Sequence, residues 1–214
     1  MLRQRIVTAL LMLAVLIPAV FYPSPSAFAA VALILIACAA WEWALLNQMT
    51  SHAALVFGAL CASLCSFSWW YGVPQMSLGL VWMATGAAWV LLAVWLLAVG
   101  VPAWAKVPRA MRLGGGLLAL WAAWLAVVQA RMLGINFLFS VMVLVWAADV
   151  FAYFAGRTLG GRLFTRKLAP TISPGKTWEG AIGGLIGVVV CAYVWQRLDA
   201  HQSMESLSLY SRIA

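Results

Sequence analysis

Seven apolar runs, each close to the length that crosses a bilayer, follow one another along this chain with only short polar connections between them. About 20 consecutive apolar residues span the hydrocarbon core as a helix, so 214 residues hold roughly seven such spans and leave no room for a separate soluble domain. Composition agrees: 66% of residues are hydrophobic and 8% charged, against roughly 45–50% apolar and 25% charged in soluble domains. The expected fold class is therefore all-α, a polytopic transmembrane helical bundle of about seven spans.

The spans are expected over residues 6–22, 27–46, 53–70, 78–100, 114–129, 137–155 and 180–197. Arg3 and Arg5 precede the first run, and the segment after it offers an Ala27-Phe28-Ala29 cleavage pattern, so a signal peptide is weighed there against a first membrane helix. Either leaves a polytopic protein. The second span ends around Trp41, Glu42 and Trp43, where tryptophans anchor at the interface and the carboxylate is either a headgroup-facing residue or a functional one. His52 sits in a short polar turn and reads as interfacial, and Trp69, Trp70 and Tyr71 form an aromatic belt. A Pro-interrupted basic loop over 101–112 carries Lys106, Arg109 and Arg112, and a short outer connection is expected to hold Arg131 and Asn136.

The net charge of +8 is explained by these loops. With the N-terminus inside, ten Lys and Arg fall on inner segments and three (Arg131, Arg197, Arg212) outside, which predicts a cytoplasmic N-terminus. Basic residues so placed serve topology and anionic headgroups, and no nucleic-acid partner is expected. Cys38, Cys61, Cys65 and Cys191 lie in apolar runs without CxxC spacing and read as small buried residues.

Most of the polar chemistry gathers in residues 146–184, which hold two of the five acidic residues, Asp149 and Glu179. Asp149, Tyr153 and Arg157 fall at i, i+4 and i+8, one stripe on one helix face. Asp149 is expected about six residues inside the helix end, roughly 9 Å, where an unpaired carboxylate costs about 2.5–3.5 kcal/mol and must face the bundle, a cation or water. The loop over 156–179 carries Arg162, Arg166, Lys167 and Lys176. It suggests a helix start with Ser173 as N-cap and Pro174 at the first helical position. Backbone amides at such a start, with Lys176, suit an anion such as a phosphate; a positive-inside loop touching headgroups is the plainer alternative. Gly175-Lys176-Thr177 is not a P-loop, because Pro170 stands where the motif needs glycine. Gly180, Gly183, Gly184 and Gly187 suit close helix packing.

The run Trp146-Ala-Ala-Asp149, then Ala152-Tyr-Phe-Ala-Gly-Arg157, then Ile172-Ser-Pro-Gly-Lys-Thr-Trp-Glu-Gly180 closely resembles the bacterial phosphatidate cytidylyltransferases, or CDP-diacylglycerol synthases. With the opening LRQRIVTAL and the WEW element, the resemblance covers residues 1–198, a polytopic membrane domain with a cytoplasmic loop at 156–179. It implies the reaction of CTP with phosphatidate to give CDP-diacylglycerol and pyrophosphate, with Mg2+, in the bacterial inner membrane; a homodimer is compatible. It also implies Asp149 and Lys176 as catalytic, Asp149 as metal ligand, and Arg157, Tyr153, Ser173, Thr177 and Glu179 as substrate-binding or loop-ordering. The family's C-terminal Lys-Asp, His-Gly-Gly and Asp-Arg elements have no counterpart in the 199–214 tail, where Asp199, His201 and Glu205 lack the matching context. The chain is thus expected to match the first three-quarters of such an enzyme, a truncated or frameshifted product with little turnover alone. The competing expectation is a non-enzymatic membrane protein, a transporter or assembly subunit, using Asp149 and Glu42 for packing or ion passage.

Overall fold

The structure is a computed structural model that describes residues 2–170 and 172–202, with side chains described for residues 6–170 and 172–198. The tail from 199 onward therefore lies outside the described side chains. Among the described residues eight α-helices follow in order: α1 (Leu2–Phe21), α2 (Pro25–Leu46), α3 (Ser51–Trp70), α4 (Gly79–Val99), α5 (Val101–Lys106), α6 (Arg109–Leu133), α7 (Ile135–Leu159) and α8 (Trp178–Gln202). No strand occurs among the described residues. Six of the helices (α2, α3, α4, α6, α7, α8) are long and apolar enough to cross a membrane, and Ile6–Phe21 of α1 adds a shorter apolar stretch. This is the all-α, multi-pass membrane architecture expected.

Local chemistry sets the helix ends. Ser24 caps α2 by accepting from the Ser26 amide at 3.3 Å, with Pro25 at the first position, and Thr50 caps α3 by accepting from the Ala53 amide at 3.4 Å. Gly72 and Gly100, with φ of 67° and 73°, supply the left-handed backbone that follows α3 and α4.

One compact unit comprises Met1–Met76 and Val107–Leu138. Its core is made of small residues, Ala40 and Ala44 of α2 and Ala54, Cys61 and Cys65 of α3, closed by Trp124, Leu125 and Val128 of α6, all almost fully buried. Small side chains let helix backbones approach: a Cβ on Gly58 of α3 would stand 3.0 Å from the Ala37 carbonyl of α2. Of the other two cysteines, Cys38 faces outward on α2 and Cys191 is half-buried. The Trp124 indole donates to the Ala29 carbonyl at 3.2 Å. Trp124→Phe removes that donor and leaves a small void, so a loss of about 1–2 kcal/mol is expected in a detergent unfolding measurement.

Hydrogen bonds mark the two ends of this unit. At one, Trp43 donates to the Arg112 carbonyl (3.1 Å) and Arg109 to the Gln48 carbonyl (3.0 Å). At the other, Gln129 donates to the carbonyls of Pro74 and Met76, and Arg131 to those of Val20 and Tyr22. Here the expectation for Arg131 and Asn136 is corrected. Neither lies in a connection: α6 continues to Leu133, stopped at Gly134 with φ 145°, and Asn136 belongs to the first turn of α7. Arg131 is a buried helix residue whose guanidinium is committed to the end of α1.

The second unit comprises Ser77–Lys106 and Phe139–Ala214, so α7 starts in the first unit and continues through this one. Within it α8 runs antiparallel to α7, glycine face inward. A Cβ on Gly180 would lie 3.0 Å from the Ala152 carbonyl and one on Gly184 3.0 Å from that of Ala148, while Cβ atoms on Gly183 and Gly187 would overlap Ala155 and Phe151. The close packing expected of these glycines is present.

Candidate functional site

The polar residues of the second unit collect where α7 ends and α8 begins. Because α7 runs on to Leu159 and α8 starts at Trp178, the connection is residues 160–177, shorter than the 156–179 expected. Asp149 accordingly lies ten residues from the α7 end, roughly 15 Å, deeper than the six residues anticipated. The stripe itself forms in part. Arg157 donates to the Tyr153 hydroxyl at 2.9 Å and its guanidinium sits 5.9 Å from the Tyr153 ring centre, a contact that orients the cation. Asp149 is exposed and its side chain joins neither residue, making no hydrogen bond or ion pair among the described residues.

The helix start is corrected as well. Ser173 is not the N-cap. Its amide donates to the Ala169 carbonyl at 2.8 Å, its carbonyl accepts from the Lys176 amide at 3.1 Å, and Pro174 and Gly175 occupy the turn between them. Proline's fixed φ serves the second position of a β-turn as well as it serves a helix start, and here the turn wins. Thr177 caps α8 instead: its Oγ1 accepts from the Gly180 amide at 3.1 Å, and its carbonyl receives the Ala181 amide.

Glu179, in the first turn of α8, is buried, with 3% of its surface exposed. Its Oε1 accepts three backbone amides, from Gly161, Leu163 and Phe164, each at 3.0 Å. Three N–H groups converging on one oxygen form an anion-binding nest, entered through Gly161 at φ 79°. The chain fills this nest with its own carboxylate. Phe164 then lies beside Trp178, ring centres 6.5 Å apart. The far end of the loop is joined separately: Lys167 Nζ donates to the Pro174 carbonyl at 2.5 Å, and the Leu168 amide donates to the Lys176 carbonyl at 3.2 Å.

These bonds divide the basic residues of the loop. Lys167 is spent on the loop backbone. Arg162, Arg166 and Lys176 are exposed, and their side chains make no hydrogen bond or ion pair among the described residues. In the sequence the four basic residues of the loop stand together, and nothing in their residue types separates them. The special place of Glu179 had a partial signal, an acidic residue in the first turn of a helix, but the amides it gathers lie 15 to 18 residues earlier in the chain.

For a metal, no three of His, Cys, Asp and Glu converge among the described residues. Mg2+ is commonly held by one or two carboxylates together with substrate phosphates. Exposed Asp149 fits such a single ligand, and the described residues offer no second carboxylate beside it, since Glu179 is turned to the loop amides. In the first unit Glu42 is exposed on α2, and its side chain makes no hydrogen bond or ion pair among the described residues.

Comparison with known proteins fits this geometry. A phosphatidate cytidylyltransferase of Pseudomonas aeruginosa is 38% identical over 194 residues, covering 86% of this chain and 67% of that protein. One of Haemophilus influenzae is 32% identical over 216 residues, covering 91% of this chain and 73% of its own length. One of Brucella abortus is 56% identical over 55 residues, or 26% of this chain and 18% of that protein. No solved structure matches. The profile of the cytidylyltransferase family matches residues 3–213, and with it the resemblance drawn from the central stretch is met: the chain belongs to the cytidylyltransferase family.

Proposed function

We propose that the chain is a phosphatidate cytidylyltransferase of the bacterial inner membrane, acting on CTP and phosphatidate with the α7–α8 loop on the cytoplasmic side and the N-terminus inside. The observation that carries this reading is the set of uncommitted cations, Arg162, Arg166 and Lys176, on a loop tied down at both ends beside an apolar helix pair. A lipid phosphate held at the bilayer surface and a triphosphate arriving from water both need such an array.

In the reaction an oxygen of the lipid phosphate bonds to the α-phosphorus of CTP, the bond from that phosphorus to the bridging β-phosphate oxygen breaks, and pyrophosphate leaves. Positive groups fixed beforehand around these oxygens stabilise the charge that moves between them. Arg157, aimed by Tyr153, and Lys176 are assigned to the phosphates, with Arg157 able to make bidentate contacts. Ser173 and Thr177 shape the turn and helix start from which Lys176 projects. Mg2+, when bound, supplies further charge neutralisation on the phosphates, and Asp149 is the residue assigned to hold it.

The test is formation of CDP-diacylglycerol from labelled CTP by the purified chain in phosphatidate-containing vesicles. Formation of CDP-diacylglycerol that depends on phosphatidate is the expected result. Failure of the chain to bind either CTP or phosphatidate sinks the assignment. In this chain, or at the matching positions of the Pseudomonas aeruginosa relative, Asp149→Asn and Lys176→Ala should each lower CTP-dependent turnover about 10- to 100-fold, and unchanged rates would make both residues structural.

A further inference from the structure

The nest around Glu179 has a role that the substrate assignment does not capture. Its carboxylate is enclosed, with one oxygen saturated by loop amides and the other, Oε2, buried without a hydrogen-bond partner. A group held in this way is closed to a nucleotide or lipid in solution. What it does control is the path of residues 160–164, and hence where Arg162 stands relative to Arg157, one helix end away in the same unit. Lys167 performs the matching task at the outer part of the loop through the Pro174 carbonyl.

We infer that Glu179 is a positioning residue for phosphate binding: it fixes the Gly161–Phe164 backbone so that the exposed cations of the loop are preset for a phosphate oxyanion, and it touches no substrate itself. Presetting matters because a flexible loop must lose its freedom when the ligand arrives, and that cost is subtracted from affinity. A carboxylate makes charge-assisted bonds to amides, whereas Gln offers a neutral carbonyl to the same three donors, so the knot loosens with little change in shape. The inference rests on the phosphatidate cytidylyltransferase reading for the identity of the ligands.

Two measurements on the full chain in nanodiscs test it. Loop order is read by the rate of chymotryptic cleavage after Phe164, a bond that the carboxylate knot holds at its edge. Ligand affinity is read in separate arms, CTP with discs of phosphatidylcholine alone, and phosphatidate discs without CTP. Glu179→Gln is expected to speed cleavage at least 10-fold and weaken the CTP arm, the phosphatidate arm or both at least 10-fold, with helical content unchanged. Gly161→Ala, which leaves the carboxylate intact and meets no atom within 4 Å but disfavours φ 79°, should move both readouts the same way. Arg162→Ala should weaken binding while leaving cleavage at its wild-type rate. Unchanged affinity in Glu179→Gln overturns the inference, and so does weakened affinity with unchanged cleavage, which would make Glu179 a direct ligand contact. Wild-type chain that binds neither probe removes the cytidylyltransferase reading instead, and faster cleavage in Glu179→Gln would then support the loop clamp alone.

Discussion

Replacing Arg131 with alanine should lower the stability of the chain by about 3–5 kcal/mol, measured as unfolding free energy in detergent or bicelles. The residue is 6% exposed and its guanidinium makes two short bonds, Nε to the Val20 carbonyl at 2.8 Å and a terminal nitrogen to the Tyr22 carbonyl at 2.7 Å. Val20 lies in the last turn of α1 and Tyr22 directly follows the helix, where the last helical C=O groups have no partner in the helix and the dipole favours a cation. Hydrogen bonds to a charged group contribute about 1.5–3 kcal/mol each, and removing one partner leaves the others buried and unpaired. Arg131→Lys keeps the charge but not the fork that reaches two carbonyls at once, so it should recover part of the loss. A variant with alanine that unfolds like wild type would mean that water replaces the guanidinium and that α1 is held by other contacts.

Arg131 also shows what the sequence concealed. Read along the chain, Gln129-Ala-Arg-Met looks like the polar end of a span, and an arginine there is naturally counted as a topology signal. Yet Ala, Arg, Met and Leu are all good helix formers, and the true stop, Gly134, was in view. The fold class was legible because hydrophobic length alone decides it, and the glycines of α8 were legible because small residues at helical spacing have one common use in membranes. The helix start is not legible because Ser-Pro serves a β-turn and an N-cap equally, and only the hydrogen bonds from Ser173 to Ala169 and from Lys176 to Ser173 decide between them. Which cations of the loop are free could not be read at all, since Lys167 differs from Lys176 only in finding a carbonyl seven residues ahead. The Asp149, Tyr153 and Arg157 register followed from helix geometry, but the pairing is Tyr153 with Arg157, leaving the carboxylate apart.

Leucine at both Gly183 and Gly187 should separate α7 from α8 and remove phosphate binding along with stability. Placing a Cβ at Gly183 overlaps the Ala155 side chain and stands 3.2 Å from the Phe151 carbonyl, and at Gly187 it overlaps the Phe151 ring. Ala155 has no rotamer to move and a backbone carbonyl cannot yield, so at Gly183 the helices themselves must part. Overpacking of this kind costs about 1–3 kcal/mol per site, against which Gly→Leu in a helix gains about 0.8–1 kcal/mol of propensity. The steric term wins at these two positions. Gly115→Leu on α6 provides the control, because no described atom lies within 4 Å of the added Cβ; there only the propensity gain remains, and stability should hold or rise. The loop over 160–177 is anchored at Glu179, one turn before Gly183, so parting the helices draws the carboxylate away from its amides and frees the same Phe164 cleavage site. Double-leucine chain that keeps its melting behaviour and its slow cleavage after Phe164 would show that α8 rotates to another face, and that the glycine seam is not what holds the cationic loop in place.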